Sequence, residues 1–188
     1  MNSNAELRRI LRQLKAGERR TSLVPRQRSE LTFVAKASSI PKLLLDTTVY
    51  IDELQGKLPP DVELVIRSTS LWHSTVTESE LSALAGLLNP DHPQTARALE
   101  QVFASIEQRP NHRIVNPDRQ VWREAGVVAG LLARLQRYRK AEQRRALNDA
   151  LIFLSAAKAG LAVLTRNISD FDLLMQLVPQ GKAVFYEI

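Results

Sequence analysis

Asp149 stands in the stretch "LNDALIFLSAAKAG", with Ile152, Phe153 and Ala156 three, four and seven positions further on. That spacing is one face of a helix. A carboxylate on such a face is costly unless something pairs with it, because burying a lone charge is unfavourable. Three further acids stand just past strand-like runs. Asp46 follows Leu43-Leu44-Leu45, Glu80 follows "LWHSTV", and Asp170 lies five residues beyond the end of "LAVLT". In parallel α/β sheets, ligands gather beyond the carboxyl ends of the strands. Acids converging there repel one another unless protons or cations occupy the space between them. An all-oxygen donor set suits a hard cation, Mg²⁺ or Mn²⁺.

Each acid also has a local alternative. Asp46 can cap a helix beginning at Thr47. Thr77-Glu78-Ser79-Glu80 has the form of a capping box, with Glu80 reaching back to the Thr77 amide. Ser169-Asp170-Phe171-Asp172 resembles a cap as well, and acids favour a helix start. Asp149 lies inside its helix, so its alternative is a buried ion pair with an arginine.

The elements that would carry these acids alternate. Strand-like segments at Leu43–Leu45, "LWHSTV", "HRIVNP", "LAVLT" and "KAVFYEI" are separated by helical ones. The helices are expected over Thr47–Gln55, over "PPDVELVIRS", "TESELSALAGLL" and "HPQTARALEQVFASIEQ", from Asp118 to Tyr138, over 145–159, and from Asp170. Alternation of this kind predicts an α/β fold with a short parallel sheet covered on both faces. Before it, residues 1–41 form an N-terminal arm. Leu7, Ile10, Leu11 and Leu14 mark a short amphipathic helix in it, followed by a polar, basic linker, and the body runs from 42 to 188.

Apolar residues make up 44% of the 188-residue chain, enough for a core. With no cysteine, disulfides and thiolate metal sites are excluded, which fits a reducing cytoplasm. The longest apolar stretch, interrupted by Lys158 and Gly160, falls short of the roughly 20 residues of a membrane span. No membrane association is expected. The net charge of +6 is uneven: residues 1–42 hold ten Lys and Arg against three acids, while the remainder is nearly balanced. A basic arm either neutralises nucleic-acid phosphates or is a solvated leader, and both readings stay open. A second basic run, "LLARLQRYRKAEQRR", holds Arg139, Arg144 and Arg145 just before Asp149. It reads either as a rim guiding RNA or as a solvated helix end. Tyr138 within it offers a ring for base stacking.

In order, "LLLDTTVYID", "STVTESEL" and "LNDALIFLSAAKAGLAVLTRNISDF" resemble the PIN-domain nucleases, and within them the VapC-type toxins of toxin–antitoxin pairs. The resemblance runs from about Lys42 to the end. It implies a PIN-like three-layer fold with a parallel sheet of about five strands. It also implies a metal-dependent endoribonuclease with Asp46, Glu80, Asp149 and Asp170 catalytic. Asp46, Asp149 and Asp170 would hold Mg²⁺, with Mn²⁺ an alternative. Thr47 and Thr165 match hydroxyl positions of the pattern, and with Asn167, Arg139, Arg144 and Arg145 they are the candidates for substrate contact. Asn167 stands where many relatives carry an acid, and the arm lies outside the usual pattern. The implied partners are an RNA substrate, a small antitoxin and a second copy in a homodimer.

Other chemistries fit less well. His73, His92 and His112 are scattered, so a histidine-pair ribonuclease is disfavoured. A phosphotransferase with an aspartate after its first strand needs a second one two positions on, where Thr48 stands. No glycine-rich phosphate loop is present. Two alternatives remain: a non-catalytic RNA- or DNA-binding module whose acids are only caps, and a PIN nuclease of RNA maturation without an antitoxin.

Overall fold

Leu43, Leu44 and Leu45 form β1 (Leu43–Leu45), the middle strand of a five-stranded, all-parallel sheet in the computed structural model, which describes residues 3–37 and 39–188. The strand order is β3-β2-β1-β4-β5, with β2 (Leu71–Ser74), β3 (Ile114–Val115), β4 (Ala162–Thr165) and β5 (Lys182–Phe185). Both layers of helices follow from the side-chain alternation of the strands. Leu43, Leu45, Ala162, Leu164 and Val184 enter one core, while Leu44, Val163, Ala183 and Phe185 enter the other. A strand buried on both faces has no polar side, which is why these runs read as continuous apolar stretches.

The first core packs the sheet against α2 (Thr47–Leu54), α3 (Pro60–Ser68), α4 (Thr75–Leu87) and α5 (Thr95–Glu107) through residues such as Val49, Val62, Leu81 and Val102. The second packs it against α6 (Arg119–Gln136), α7 (Lys140–Lys158) and α8 (Ile168–Leu177). Here Phe153 and Phe171 meet edge to face with centroids 6.0 Å apart. Gly181, just before β5, is required by this packing: a Cβ on it would lie 2.4 Å from Cζ of Phe153. The strand order reverses between β1 and β4, and such a switch point opens a crevice at the carboxyl ends.

Three helices start earlier than their sequence patterns suggest. β2 stops at Ser74 and passes without a loop into α4, so Ser74, not Thr77, caps that helix by accepting from the Val76 amide at 3.2 Å. α7 begins at Lys140, not 145. Ala, Glu, Gln and Arg are all good helix formers, and Glu142 secures the start by accepting from the Arg139 amide at 2.6 Å. α8 begins at Ile168, capped by Asn167.

The arm lies along the body. Its helix α1 (Ser3–Gln13) buries Ile10 and, with the turn beyond it, Leu14 against α6. Glu6 pairs with Arg123. The linker is then held at intervals: Ser22 Oγ donates to the Leu135 carbonyl at 2.8 Å, and Gln176 Nε2 donates to that of Val24 at 3.0 Å. Arg26 donates through Nε at 2.6 Å and through its amide at 2.8 Å to the two oxygens of the buried Asp172. Arg28 pairs with Glu187, and Phe33 bridges to Phe185 in parallel. Of the arm's cations, these pairings commit Arg26 and Arg28 to the body. Among the described residues no helix is long and apolar enough to cross a membrane.

Candidate active site

Asp46, Glu80, Asp149 and Asp170 line one cleft of about 820 Å³ at the switch point, together with Thr47, Asn167 and Arg145. The cleft draws its acids from the end of β1 and from α4, α7 and α8, so only the folded sheet brings them together.

Asp46 is both a helix cap and a cleft acid. Its bond from the Thr48 amide is long, at 3.5 Å, but Thr48 Oγ1 and Thr165 Oγ1 each donate to its Oδ2 at 2.7 Å. Those hydroxyls are themselves oriented by the turn after β4. The Arg166 amide donates to Thr48 Oγ1 at 3.2 Å, and the Asn167 amide to Thr165 Oγ1 at 2.9 Å. An acceptor position filled by N–H leaves each hydroxyl proton free to point at the carboxylate. Burial raises the pKa of Asp46, the bonds from Thr165 and Thr48 hold it down, and the charge of Glu80 adds to the rise.

Glu80 does not reach back to the Thr77 amide, because α4 has already begun at Thr75. Instead its Oε2 accepts from Thr47 Oγ1, and its Oε1 accepts from Asn148 Nδ2 at 2.8 Å. Thr77 is buried, with its hydroxyl donating to the Leu45 carbonyl at 3.5 Å. Asp170 sits in the first turn of α8, accepting from Asn167 Nδ2 at 2.9 Å and from the Tyr138 hydroxyl at 3.2 Å. Tyr138 is therefore engaged at its oxygen by a cleft acid. Asn167 Nδ2 also approaches Asp149 Oδ2 at 3.3 Å, so one neutral amide spans two carboxylates.

Asp149 is 6% exposed, and its weak bond from Asn167 is its one hydrogen bond among the described residues. No Lys or Arg forms an ion pair with it there, which removes the buried arginine pair as an explanation. Burial pushes its pKa well above the carboxylate range, and the charges of Asp46, Asp170 and Glu80 push it further; Arg145 opposes them least of all.

The donors fit a hard divalent ion in kind. Among the described residues no three His, Asp or Glu side chains form a ready-made ligand cage. Mg²⁺ does not need one, since it takes one or two direct carboxylates and keeps waters on its remaining positions. A buried carboxylate without a counter-charge is the feature that fits a cation best.

The remaining candidates divide. Thr47, Asn167 and Arg145 line the cleft, and Thr165 stands behind Asp46. Arg139, the residue before α7, and Arg144, in its second turn, are exposed outside the lining. Arg166 reaches the wall but is committed, donating to Asp52 at 2.7 and 3.1 Å beside the Tyr186 hydroxyl. Sequence reasoning missed several participants, among them Thr48, Asn148 and Pro25. Thr48 was signalled by its place two residues after a helix-capping acid. Asn148 was signalled by its place beside Asp149. Pro25, a cleft-lining residue of the arm, carried no signal.

No family model matches the chain, and no curated protein matches it. Solved structures do. A chain of the VapBC2 complex of Rickettsia felis, bound to a DNA fragment from its promoter, is 14% identical with a TM-score of 0.54. The match covers 77% of this chain and 98% of that one. A chain of the FitAB complex bound to an IR36 DNA fragment is 21% identical with a TM-score of 0.50, covering 76% and 93%. The likeness is one of fold, and the chain has a PIN-like architecture.

Proposed function

We propose that this chain is a metal-dependent endoribonuclease, the toxin of a type II toxin–antitoxin pair. The observation that carries the reading is Asp149, buried without a cation among Asp46, Glu80 and Asp170. Asp46, Asp149 and Asp170 hold Mg²⁺ or Mn²⁺, directly or through water. A divalent ion there lowers the pKa of water and offsets charge on a phosphodiester. The protein does the rest by positioning. Thr48 and Thr165 fix the Asp46 carboxylate before substrate arrives, and Thr47 and Asn148 fix Glu80. Glu80, half-buried at the cleft, is placed to accept a proton from an incoming water. Arg145, which makes no ion pair among the described residues, offers its charge to a substrate phosphate at the wall, with Arg139 and Arg144 further out along the same helix start.

The partner part of the reading rests on the fold neighbours, which come from VapBC2 and FitAB complexes. By that likeness the chain has an antitoxin partner, while the homodimer and the cytoplasmic setting rest only on its sequence.

The test is Asp149→Asn with single-stranded RNA. Loss of Mg²⁺-dependent cleavage by roughly two orders of magnitude or more, with unchanged circular dichroism, is the expected outcome. Cleavage at the wild-type rate would refute it. Growth arrest on expression, relieved by a co-encoded small protein, is expected for a toxin; arrest that no such protein relieves points to RNA maturation instead.

A further inference from the structure

A second cavity, of about 220 Å³, is lined in part by the same two helices that carry Glu80 and Asp149. Its wall includes Ser79, the residue before Glu80, and Asn148, the residue before Asp149. Consecutive helix residues point in different directions, so α4 and α7 present their acids to the cleft and these neighbours to the second cavity. Asn148 links the cavity to the cleft, since its Nδ2 donates to Glu80 at 2.8 Å. Across from it stands Trp122, 51% exposed on the first turn of α6, with Pro117 and Asn116 beside it.

An indole is usually well buried, yet Trp122 as a residue is half open to solvent. An indole face at a pocket rim suits a flat π-system, and stacking on an aromatic ring holds an unpaired base irrespective of its identity. The edge groups add discrimination. Asn116 and Ser79 make no side-chain hydrogen bond among the described residues, and Asn148 Oδ1 is likewise uncommitted. Those groups supply both donors and acceptors, as reading the edge of a splayed-out base requires.

We propose that this cavity takes an unpaired nucleobase of the RNA next to the scissile phosphate, stacked on Trp122 and read by Asn116, Ser79 and Asn148. The inference rests on the nuclease reading for the identity of the polymer. It goes beyond that reading by placing sequence preference at a site separate from the acids. Because Asn148 lines the cavity and donates to Glu80 of the cleft, an occupied pocket holds the chain of the substrate in register with Glu80.

The experiment measures binding of labelled single-stranded homopolymers of roughly ten nucleotides by anisotropy. It uses the full chain with Asp149→Asn to prevent cleavage, with and without Trp122→Ala, Trp122→Phe and Asn116→Ala. Trp122→Ala is expected to weaken binding roughly five- to a hundredfold, and Trp122→Phe much less. Asn116→Ala is expected to keep most of the affinity while changing which homopolymer binds best, and it covers the case in which Trp122→Ala folds poorly. Unchanged affinity and preference in all three overturn the proposal. So does a change in oligomeric mass in Trp122→Ala without a change in RNA binding, which would assign the ring to contact between copies. If the parent chain cleaves RNA but Trp122 is indifferent, the pocket fails and the nuclease stands. If RNA binding depends on Trp122 but the parent chain cleaves nothing, the nuclease fails and the pocket stands. No RNA binding at all overturns both.

Discussion

Asp149→Asn makes a stability prediction independent of catalysis. The carboxylate is 6% exposed, with one weak hydrogen bond and no ion pair among the described residues, beside three like charges. Stranding a buried charge by removing its partner costs about 3–5 kcal/mol. Here Asn167 and the water of an open cleft relieve part of that, leaving roughly 1–3 kcal/mol for the substitution to recover. Asparagine keeps the shape and an oxygen for Asn167. In a 188-residue chain each kcal/mol moves the melting temperature by about 2–4 °C, so metal-free Asp149→Asn should melt about 2–12 °C above wild type.

Metal favours the wild type. Mg²⁺ at a hundred times its dissociation constant stabilises by about 2.7 kcal/mol, which raises the wild type by about 5–10 °C and the variant far less. The pH dependence has a definite sign. The folded-state pKa of Asp149 is raised, so the folded protein binds the extra proton between about 3.8 and that higher value. The metal-free wild type therefore loses stability as pH rises through this window. The advantage of the variant vanishes below about pH 3.8, where both states are protonated. Scanning calorimetry in EDTA and in Mg²⁺, at several pH values, measures all of this. A variant that melts below wild type in EDTA, together with equal Mg²⁺ shifts for both proteins, would refute the buried uncompensated charge.

Arg26→Ala removes the charged partner of the buried Asp172, which keeps the bonds from the residue 26 amide and Gln176. The change should cost about 1–3 kcal/mol in urea denaturation, below the full buried-pair figure because Arg26 is also one-third exposed. It should also speed proteolysis between residues 20 and 30, and a loss under about half a kcal/mol would show the pairing to be incidental. Gly181→Ala drives a methyl group into the fully buried Phe153 and should cost about 1–3 kcal/mol. In a Phe153→Leu background the same change should cost less than half as much, and an equal cost would place the strain elsewhere.

The strands and the cleft acids were legible where local pattern and tertiary demand coincide. Leu43–Leu45 reads as a doubly buried strand, and Asp149 breaks an apolar helix face; neither depends on distant residues. Only the capping alternative for Glu80 fails: "TESE" satisfies the pattern, but the true helix start is set by β2 running directly into α4. The first turn of α7 was hidden by its charges, though its helix propensity was high. The course of the arm was least legible. Ile10 and Leu14 declare themselves by spacing, but Arg26 pairing with Asp172 and Phe33 meeting Phe185 join residues about 150 positions apart. Such contacts depend on where the body leaves complementary groups, which periodicity cannot report.

The bridge from Phe33 to Phe185 has a further consequence. β5 is an outermost strand, and the Phe185 amide spends its proton on the Thr32 carbonyl. The arm thus screens a margin whose free peptide groups would otherwise template pairing with a foreign strand. A version trimmed to begin at β1 would bare that margin with Phe185 beside it, and self-association would then masquerade as natural assembly.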